Sequence, residues 1–276
     1  MRNQITPSVS LFQSLIKQKS KIFALIIFTL SLLHPNTVRA ASPETAPAEL
    51  KNSLTQIDAA ANRQDVNTVM QFYSQNFTHS DGLNRQSLQQ TLTQLWKRYP
   101  NLNYRTELKS WEKEGDALVV ETVTQITGTQ RMDGKNMKFE SALRSRQRFQ
   151  GQKIVQQEIL GERTQTTAGV KPPTVDMKLP EEVRIGQSYS LDAVVQEPLG
   201  DDLMLGAAVE EPVRGDRFAK PAPVDLELLS SGGIFKVGRA PLTKGNYWVS
   251  TVVIREQGMT TVTQRLRVVD GGRPSK

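Results

Sequence analysis

Apolar residues recur at helical spacing between residues 47 and 100 of this chain. The period of 3.6 residues predicts three helices. The first covers residues 47–62, the second begins after Asp65, and the third begins after Asn84 and ends before Pro100. Asp65 and Asn84 are expected to cap their helices, because such side chains accept hydrogen bonds from the free N–H groups of a first turn. The apolar helix positions are Leu50, Leu54, Ile57, Ala61, Val66, Val69, Met70, Leu88, Leu92, Leu95 and Trp96.

From residue 102 the apolar period changes to two, which predicts strands. We expect strands at residues 102–112, 117–130, 137–150 and 153–164, separated by turns that contain glycine. Short turns between consecutive strands produce an antiparallel meander. Helices followed by such a meander predict an α+β domain over residues 47–165, with the sheet wrapped over the helices.

The second half of the chain is rich in β-branched residues and turns. Residues 166–173 are polar and end in two prolines, so we expect an extended linker there. The short strands that follow predict an all-β sandwich domain over residues 174–270 and a tail at residues 271–276. Its expected strands are residues 174–179, 188–196, 203–210, 224–229, 234–237, 246–256 and 260–269.

Residues 1–40 are typical of a secretory signal peptide. Basic residues precede an apolar run at residues 22–33, and cleavage after Ala40 puts small side chains at the two positions that a signal peptidase inspects. The run is shorter than the about 20 residues that a membrane-spanning helix needs. We therefore expect cleavage after Ala40 rather than an uncleaved anchor, a processed chain without a transmembrane segment, and a mobile spacer at residues 41–46. The expected location is the periplasm, or the thylakoid lumen if the source organism is photosynthetic.

Charge and residue usage exclude several classes of function. Loss of the signal peptide removes five basic residues and lowers the net charge from +7 to +2, so no nucleic-acid partner is expected. The chain has no cysteine, which excludes disulfides and thiolate metal sites. His79 is the one histidine that remains after processing. We therefore predict no metal site and no cofactor.

The order of helix, capping Asp65, Phe72-Tyr73, turn at Asp81-Gly82, helix and four strands resembles the nuclear-transport-factor-2-like (SnoaL-like) superfamily over residues 46–165. Residues 245–248 resemble the tyrosine corner of immunoglobulin-like domains. The whole chain thus resembles uncharacterised exported bacterial proteins that combine these two domains. The resemblance implies a cone-shaped α+β domain with a cavity between helices and sheet. It also implies a homodimer through the outer face of that sheet.

Ketosteroid isomerases belong to the same superfamily and imply a catalytic role for Asp81. Asp81 occupies the place of their general base, and His79 and Tyr73 are its candidate catalytic neighbours. These enzymes also place a tyrosine on the first helix to stabilise the developing enolate, and here that neighbourhood is Leu54 to Ile57. The alternative for Asp81 is a turn role before a glycine, in which case Asp81→Asn costs at most about 1 kcal/mol.

Three aromatic residues are candidates for the lining of the cone. Trp96, Tyr99 and Tyr104 are expected where the helices meet the sheet. Aromatic residues at such positions belong either to the apolar core or to a cavity that binds a small apolar ligand. An open pocket that reaches Asp81 and His79 favours an enzyme, whereas a cone filled by apolar side chains favours a scaffold.

Three functions fit these features, because the fold does not determine the chemistry. The preferred hypothesis is an exported, non-catalytic binding or assembly protein, with a cavity-forming domain and a sandwich that serves as interaction module. The first alternative is a small-molecule isomerase or dehydratase-like enzyme that uses Asp81 as a base in the cone. The second alternative is a purely structural accessory subunit.

The signal peptide generates a prediction about processing. Protein recovered from its native envelope should begin at Ala41 or within a few residues of it, because the small side chains that a signal peptidase requires end at Ala40. Intact-mass analysis and N-terminal sequencing measure this directly. A recovered protein that retains its leader would contradict the prediction of export with cleavage.

Overall fold

The computed structural model describes residues 40–132, 135–198, 200, 203–215, 224–229 and 232–270. The predicted signal peptide, except for Ala40, and the predicted tail at residues 271–276 lie outside the described residues. The described residues belong to one compact unit. Among them, no helix is long and apolar enough to span a membrane.

Among the described residues, three α-helices form where the helical period predicts them. They are α1 (Ala48–Asn62), α2 (Val66–Gln71) and α3 (Arg85–Arg98). Asp65 accepts a hydrogen bond from the Thr68 N–H at 3.0 Å. Asn84 and Ser87 form a reciprocal capping box at the start of α3. The two predicted caps are confirmed.

The predicted mobile spacer at residues 41–46 is wrong, because this segment is part of the fold. Ala41 pairs with Trp111, and Pro43–Thr45 forms a short 3-10 helix. The indole N–H of Trp111 donates to the Ser42 carbonyl at 3.1 Å. The composition of the segment is typical of mobile chain, but its partner lies far away in the sequence and could not be anticipated from local pattern.

Thirteen strands accompany the helices in the described part of the chain. They are β1 (Tyr73–His79), β2 (Leu102–Glu114), β3 (Ala117–Met132), β4 (Lys135–Gln150), β5 (Lys153–Gly169), β6 (Val175–Lys178), β7 (Glu182–Arg184), β8 (Ser188–Val195), β9 (Leu205–Pro212), β10 (Glu227–Leu228), β11 (Gly233–Arg239), β12 (Gly245–Arg255) and β13 (Gly258–Val269). The chain is therefore mostly β, with few helices.

One large sheet runs through both halves of the chain. Its ten strands include the path β10-β9-β12-β13-β5-β4-β3-β2, with β1 on β5 and β7 on β13. A second sheet has the order β11-β8-β6. The sequence pattern missed β1, which pairs in parallel with β5. It also ended β5 too early, since residues 166–169 of the predicted linker continue this strand and pair with β13.

The two faces of the large sheet cover different cores. The helices pack on one face, near β1 and β2. The three-stranded sheet packs on the opposite face, against β12 and β13. The helix-side cores include Leu50, Leu54, Phe77, Val120, Phe149 and Ile154, and also Ala60, Val69, Trp96, Leu102 and Tyr104. The other core includes Val175, Met177, Leu191, Val249, Val253, Val262 and Leu266.

The outer edge of β2 is covered by side chains of α1 and by the N-terminal segment. The Asn62 side chain donates to the Tyr104 carbonyl at 3.0 Å and accepts from the Tyr104 N–H at 2.6 Å. Asp58 accepts from the Thr106 N–H at 2.6 Å. Free strand edges are templates for pairing with other chains. These contacts therefore block edge-to-edge association at β2.

Candidate functional site

Asp81 lies in the turn that follows β1, as the Asp-Gly dipeptide predicts. Gly82 has a φ of 79°, in the left-handed region that favours glycine. The Gly82 N–H donates to the His79 carbonyl at 3.0 Å and closes the turn. Its neighbour Asp81 is only 7% exposed. The predicted turn is thus confirmed, but the Asp81 carboxylate points inward instead of bonding the N–H groups of its own turn.

The partner of Asp81 is Arg265, which sequence reasoning missed. The two guanidinium nitrogens of Arg265 donate to the two carboxylate oxygens at 2.9 and 2.8 Å. Both side chains are 1% exposed. This is the bidentate geometry that makes arginine–carboxylate pairs strong and directional. The pair joins the predicted α+β domain to β13.

A second carboxylate completes the cluster. Glu162 on β5 accepts from Arg265 at 3.0 Å and from the indole N–H of Trp248 at 3.0 Å. The hydroxyl of Ser80 donates to Asp81 at 3.2 Å. One guanidinium therefore balances two carboxylates at the junction of the β1 turn, β5 and β13. We call Asp81, Glu162, Arg265, Trp248 and His79 the junction cluster.

Strand register explains why Arg265 faces this cluster. Val262 and Leu266 on β13 point into the core shared with the three-stranded sheet. Side chains alternate across a strand, so Arg265 points to the helix side. There it lies opposite Trp248 on β12. A lone arginine between core positions is the only sequence signal for this site, and it does not identify the partner.

His79 is buried beside the Asp81–Arg265 pair and stays neutral at neutral pH. Its Nδ1 accepts the Asp81 backbone N–H at 3.1 Å, which places the ring proton on Nε2. Burial lowers the pKa of His79 below its ordinary value of 6.5; the Asp81 carboxylate opposes this shift, and the Arg265 charge adds to it. For Arg265, burial alone would lower the pKa, but the bonds and charges of Asp81 and Glu162 raise it.

Tyr73, the third candidate catalytic residue, lies at the other end of β1. Its ring packs edge-on against Phe77 at 4.9 Å between centroids, and Phe77 lies 6.1 Å from the His79 ring. Its hydroxyl is 3.5 Å from the Gln157 side-chain oxygen. Burial raises the pKa of Tyr73 to about 12. The structure thus brings His79 and Asp81 together and leaves Tyr73 separated from them by Phe77.

The predicted cavity residues take two different positions. The indole N–H of Trp96 donates to the Tyr104 hydroxyl at 2.8 Å, and both rings belong to the helix-side core. Tyr99 instead packs on Phe139 at 5.1 Å and lines a small depression with Leu102 and Met137. This arrangement favours the core interpretation for Trp96 and Tyr104.

Two surface depressions of the described residues do not reach the junction cluster. One is lined by the neighbourhood of Tyr99 and the other mainly by glutamines of α3, and neither includes Asp81, His79 or Tyr73. Within the same residues, no group of three His, Asp, Glu or Cys side chains could hold a metal ion. The cluster can fix the geometry of three chain segments, and its carboxylates are already engaged.

Comparisons with known proteins match different parts of the chain. A family model for a domain of unknown function (DUF8623) matches residues 170–269. No curated protein matches the chain significantly. Among solved structures, Bd1075 from Bdellovibrio bacteriovorus is 18% identical over 40% of this chain, with a TM-score of 0.30. That match covers only 40% of the Bdellovibrio protein.

Two further solved structures match a similar share of the chain. An uncharacterized cystatin-fold protein from Novosphingobium aromaticivorans is 18% identical over 41% of this chain and 98% of its own, with a TM-score of 0.30. A hypothetical protein with a ketosteroid isomerase-like fold from Catenulispora acidiphila, solved in complex with trimethylamine, is 15% identical over 43% of this chain and 85% of its own, with a TM-score of 0.30. The chain is therefore similar to solved structures over part of its length.

The buried pair changes the expected effect of replacing Asp81. Asp81→Asn leaves the Arg265 charge with Glu162 alone, so the free energy of unfolding should fall by about 3 kcal/mol, well beyond the value for a turn role. Urea unfolding of the variant and of the exposed control Asp176→Asn measures this difference. A loss equal to that of the control would contradict the structural role of the pair.

His79 predicts a dependence of stability on pH. Because the pKa of His79 is lowered on folding, the unfolded chain binds a proton first as the pH falls. The resulting stability is fully present above pH 6.5 and is lost as the pH falls from there through the folded pKa. In His79→Asn, whose side-chain oxygen can accept the same Asp81 N–H, the slope of unfolding free energy over this interval should be smaller. If the variant keeps the same slope of unfolding free energy against pH, the carboxylates and not His79 cause the pH dependence.

Proposed function

We propose that this protein is an exported, non-catalytic binding or assembly protein. In this proposal residues 47–165 form a nuclear-transport-factor-2-like (SnoaL-like) domain, and residues 174–270 form an immunoglobulin-like sandwich that presents an interaction surface. The signal-peptide pattern of residues 1–40 supports export. The observation that carries the non-catalytic assignment is the engagement of Asp81 by Arg265.

A general base must reach the proton that it removes and must have a free oxygen to accept it. Both oxygens of Asp81 accept hydrogen bonds from a guanidinium that is itself buried. The His79 Nδ1 is also engaged, by the backbone N–H of Asp81. An isomerase would further need donors for the developing oxyanion, and Leu54 and Ile57 of α1 instead pack in the helix-side core. These contacts support a structural role for the site over proton transfer.

The same contacts support an assembly role. The junction cluster ties the turn after β1 to β5 and β13, and so it fixes the helical layer relative to the last strand of the large sheet. The helix-side cores fill the space that a cone cavity would occupy between α1 and the sheet. A rigid chain with a filled cone is suited to present surfaces to a partner.

An experiment that separates scaffold from enzyme uses the double variant Asp81→Leu/Arg265→Met. Replacing both members of a buried pair by apolar residues of similar size is often neutral. Glu162 loses its cation in this variant but is 16% exposed and keeps the Trp248 N–H, so the unfolding free energy should fall by no more than about 3 kcal/mol. The double variant keeps the fold and lacks the candidate base. The catalytic probe is a β,γ-unsaturated cyclic ketone, whose isomerisation to the conjugated enone is followed by ultraviolet absorbance.

We expect neither protein to accelerate this isomerisation above the rate in buffer. Acceleration by the unchanged protein that falls by about 100-fold or more in the folded double variant would establish Asp81 as a base and overturn the proposal.

A further inference from the structure

We propose that an uncharged part of the large sheet is the contact surface between two copies of this chain. This surface lies on the helix side of the sheet, on strands β4, β5, β13, β12, β9 and β10. The strand register places the side chains of this surface in three rows that run across the strands. We call these three rows the open face.

The first row consists of hydroxyl groups next to the junction cluster. Ser141, Thr164, Thr263 and Ser250 lie directly opposite one another on four neighbouring strands. Ser141 and Thr164 share a hydrogen bond of 2.8 Å, and so do Ser250 and Thr263. These hydroxyls therefore satisfy one another in pairs and can be covered by an apolar partner at little cost.

The next two rows become progressively apolar. Continuing away from the junction cluster, the second row is Phe139, Thr166, Thr261, Val252 and Ala207. The third row is Met137, Ala168, Met259, Ile254, Leu205 and Leu228. Leu228, on the edge strand β10, is 62% exposed. The side chains of the second and third rows thus form a continuous surface of β-branched and apolar groups.

At the β4 end of the open face, Tyr99 packs on Phe139 at 5.1 Å between ring centroids. Over the other strands of the open face, no described helix packs as the helices do elsewhere. The main helix–sheet contacts are those of α1 with β2 and of α3 with β1. The three-stranded sheet packs against the opposite face. Val252, Ile254, Met259, Thr261 and Thr263 are all half-buried, as expected for side chains covered by their strand neighbours alone.

The absence of charged residues on the open face favours a second copy of this chain as its partner. A twofold interface brings each patch against itself, so any charge on it meets the same charge. None of the three rows contains a charged residue. The opposite face of β4 differs, because Arg144, Arg146 and Arg148 are bonded there to Glu181, Glu121 and Glu114. That outer face was the dimer surface implied by the superfamily resemblance, and we place the contact on the open face instead.

The area is sufficient for a specific dimer. Six strands about 4.8 Å apart and three rows about 7 Å apart give a face of roughly 25 by 20 Å. Two copies then bury about 1,000 Å² in total, which is the lower limit for a stable, specific interface.

The test measures the oligomeric state of the chain that starts at Ala41, since the described residues form one compact unit. At a protein concentration of about 100 μM, light scattering and sedimentation should show a dimer. This concentration lies above the micromolar dissociation constants of weak interfaces. Val252→Lys should raise the dimer dissociation constant by at least about 100-fold, because two desolvated lysines would meet. The matched control Val237→Lys, at a 79% exposed position on β11, should leave it unchanged.

A cross-linking experiment covers the case in which Val252→Lys fails to fold. The chain has no cysteine, so one introduced thiol gives an unambiguous product. Thr261→Cys on the open face should form covalent dimers with a short bismaleimide, and the exposed Thr127→Cys on the other face should not. A monomer at the highest concentration, equal cross-linking of both variants, or cross-linking of Thr261→Cys only to another protein overturns the assignment. The proposed non-catalytic function does not depend on this result, since it is tested on the Asp81–Arg265 pair.

Discussion

The guanidinium of Arg265 is the group on which the arrangement of the large sheet depends. It is almost completely buried and balances two carboxylates from different parts of the chain. Burying charges is expensive, and a pair of this kind adds little net stability compared with apolar residues. What it adds is specificity. A shift of β13 by one residue would turn Arg265 into the apolar core beside Val262 and Leu266 and leave Asp81 buried without its partner. The pair therefore fixes the register of the last strand.

This constraint also decides what the carboxylate can do. Both carboxylate oxygens of Asp81 are occupied by Arg265, so the geometry of this side chain is that of an anchor. His79 is drawn into the same role through its bond with the Asp81 backbone. In the described part of the chain, the large sheet has a filled helix-side core at one end and, at the other, the uncharged open face, over most of which no helix packs. In the function that we propose, the junction cluster provides rigidity and the accessible surface provides recognition.

Much of the local structure follows from the sequence, and the long-range structure does not. The caps at Asp65 and Asn84 depend on bonds over three residues, so their residue types predict them. Strands β2 to β4 are joined by short turns and show the period of two. The strand β1 was missed because it pairs with β5, about eighty residues later, and because its polar residues hide the alternation.

The candidate site shows the same division. The turn at Asp81-Gly82 was predictable, because it is encoded by two neighbouring residues. The partner of Asp81 was not predictable, since Arg265 lies 184 residues further along the chain and carries no motif. The ordered segment around Ala41 was misjudged for the same reason, as its partner Trp111 belongs to a distant strand.

The position of β13 has a consequence for the order of events after synthesis. This strand is the last that the structure describes. It carries Arg265, pairs with β5 and contributes to the core shared with the three-stranded sheet. Contacts that close such long loops form slowly. While the C-terminal strand is missing, Asp81 and Glu162 lack their cation and β5 has an open edge along residues 163–169. The large sheet therefore cannot be completed until β13 has been synthesised and has paired with β5.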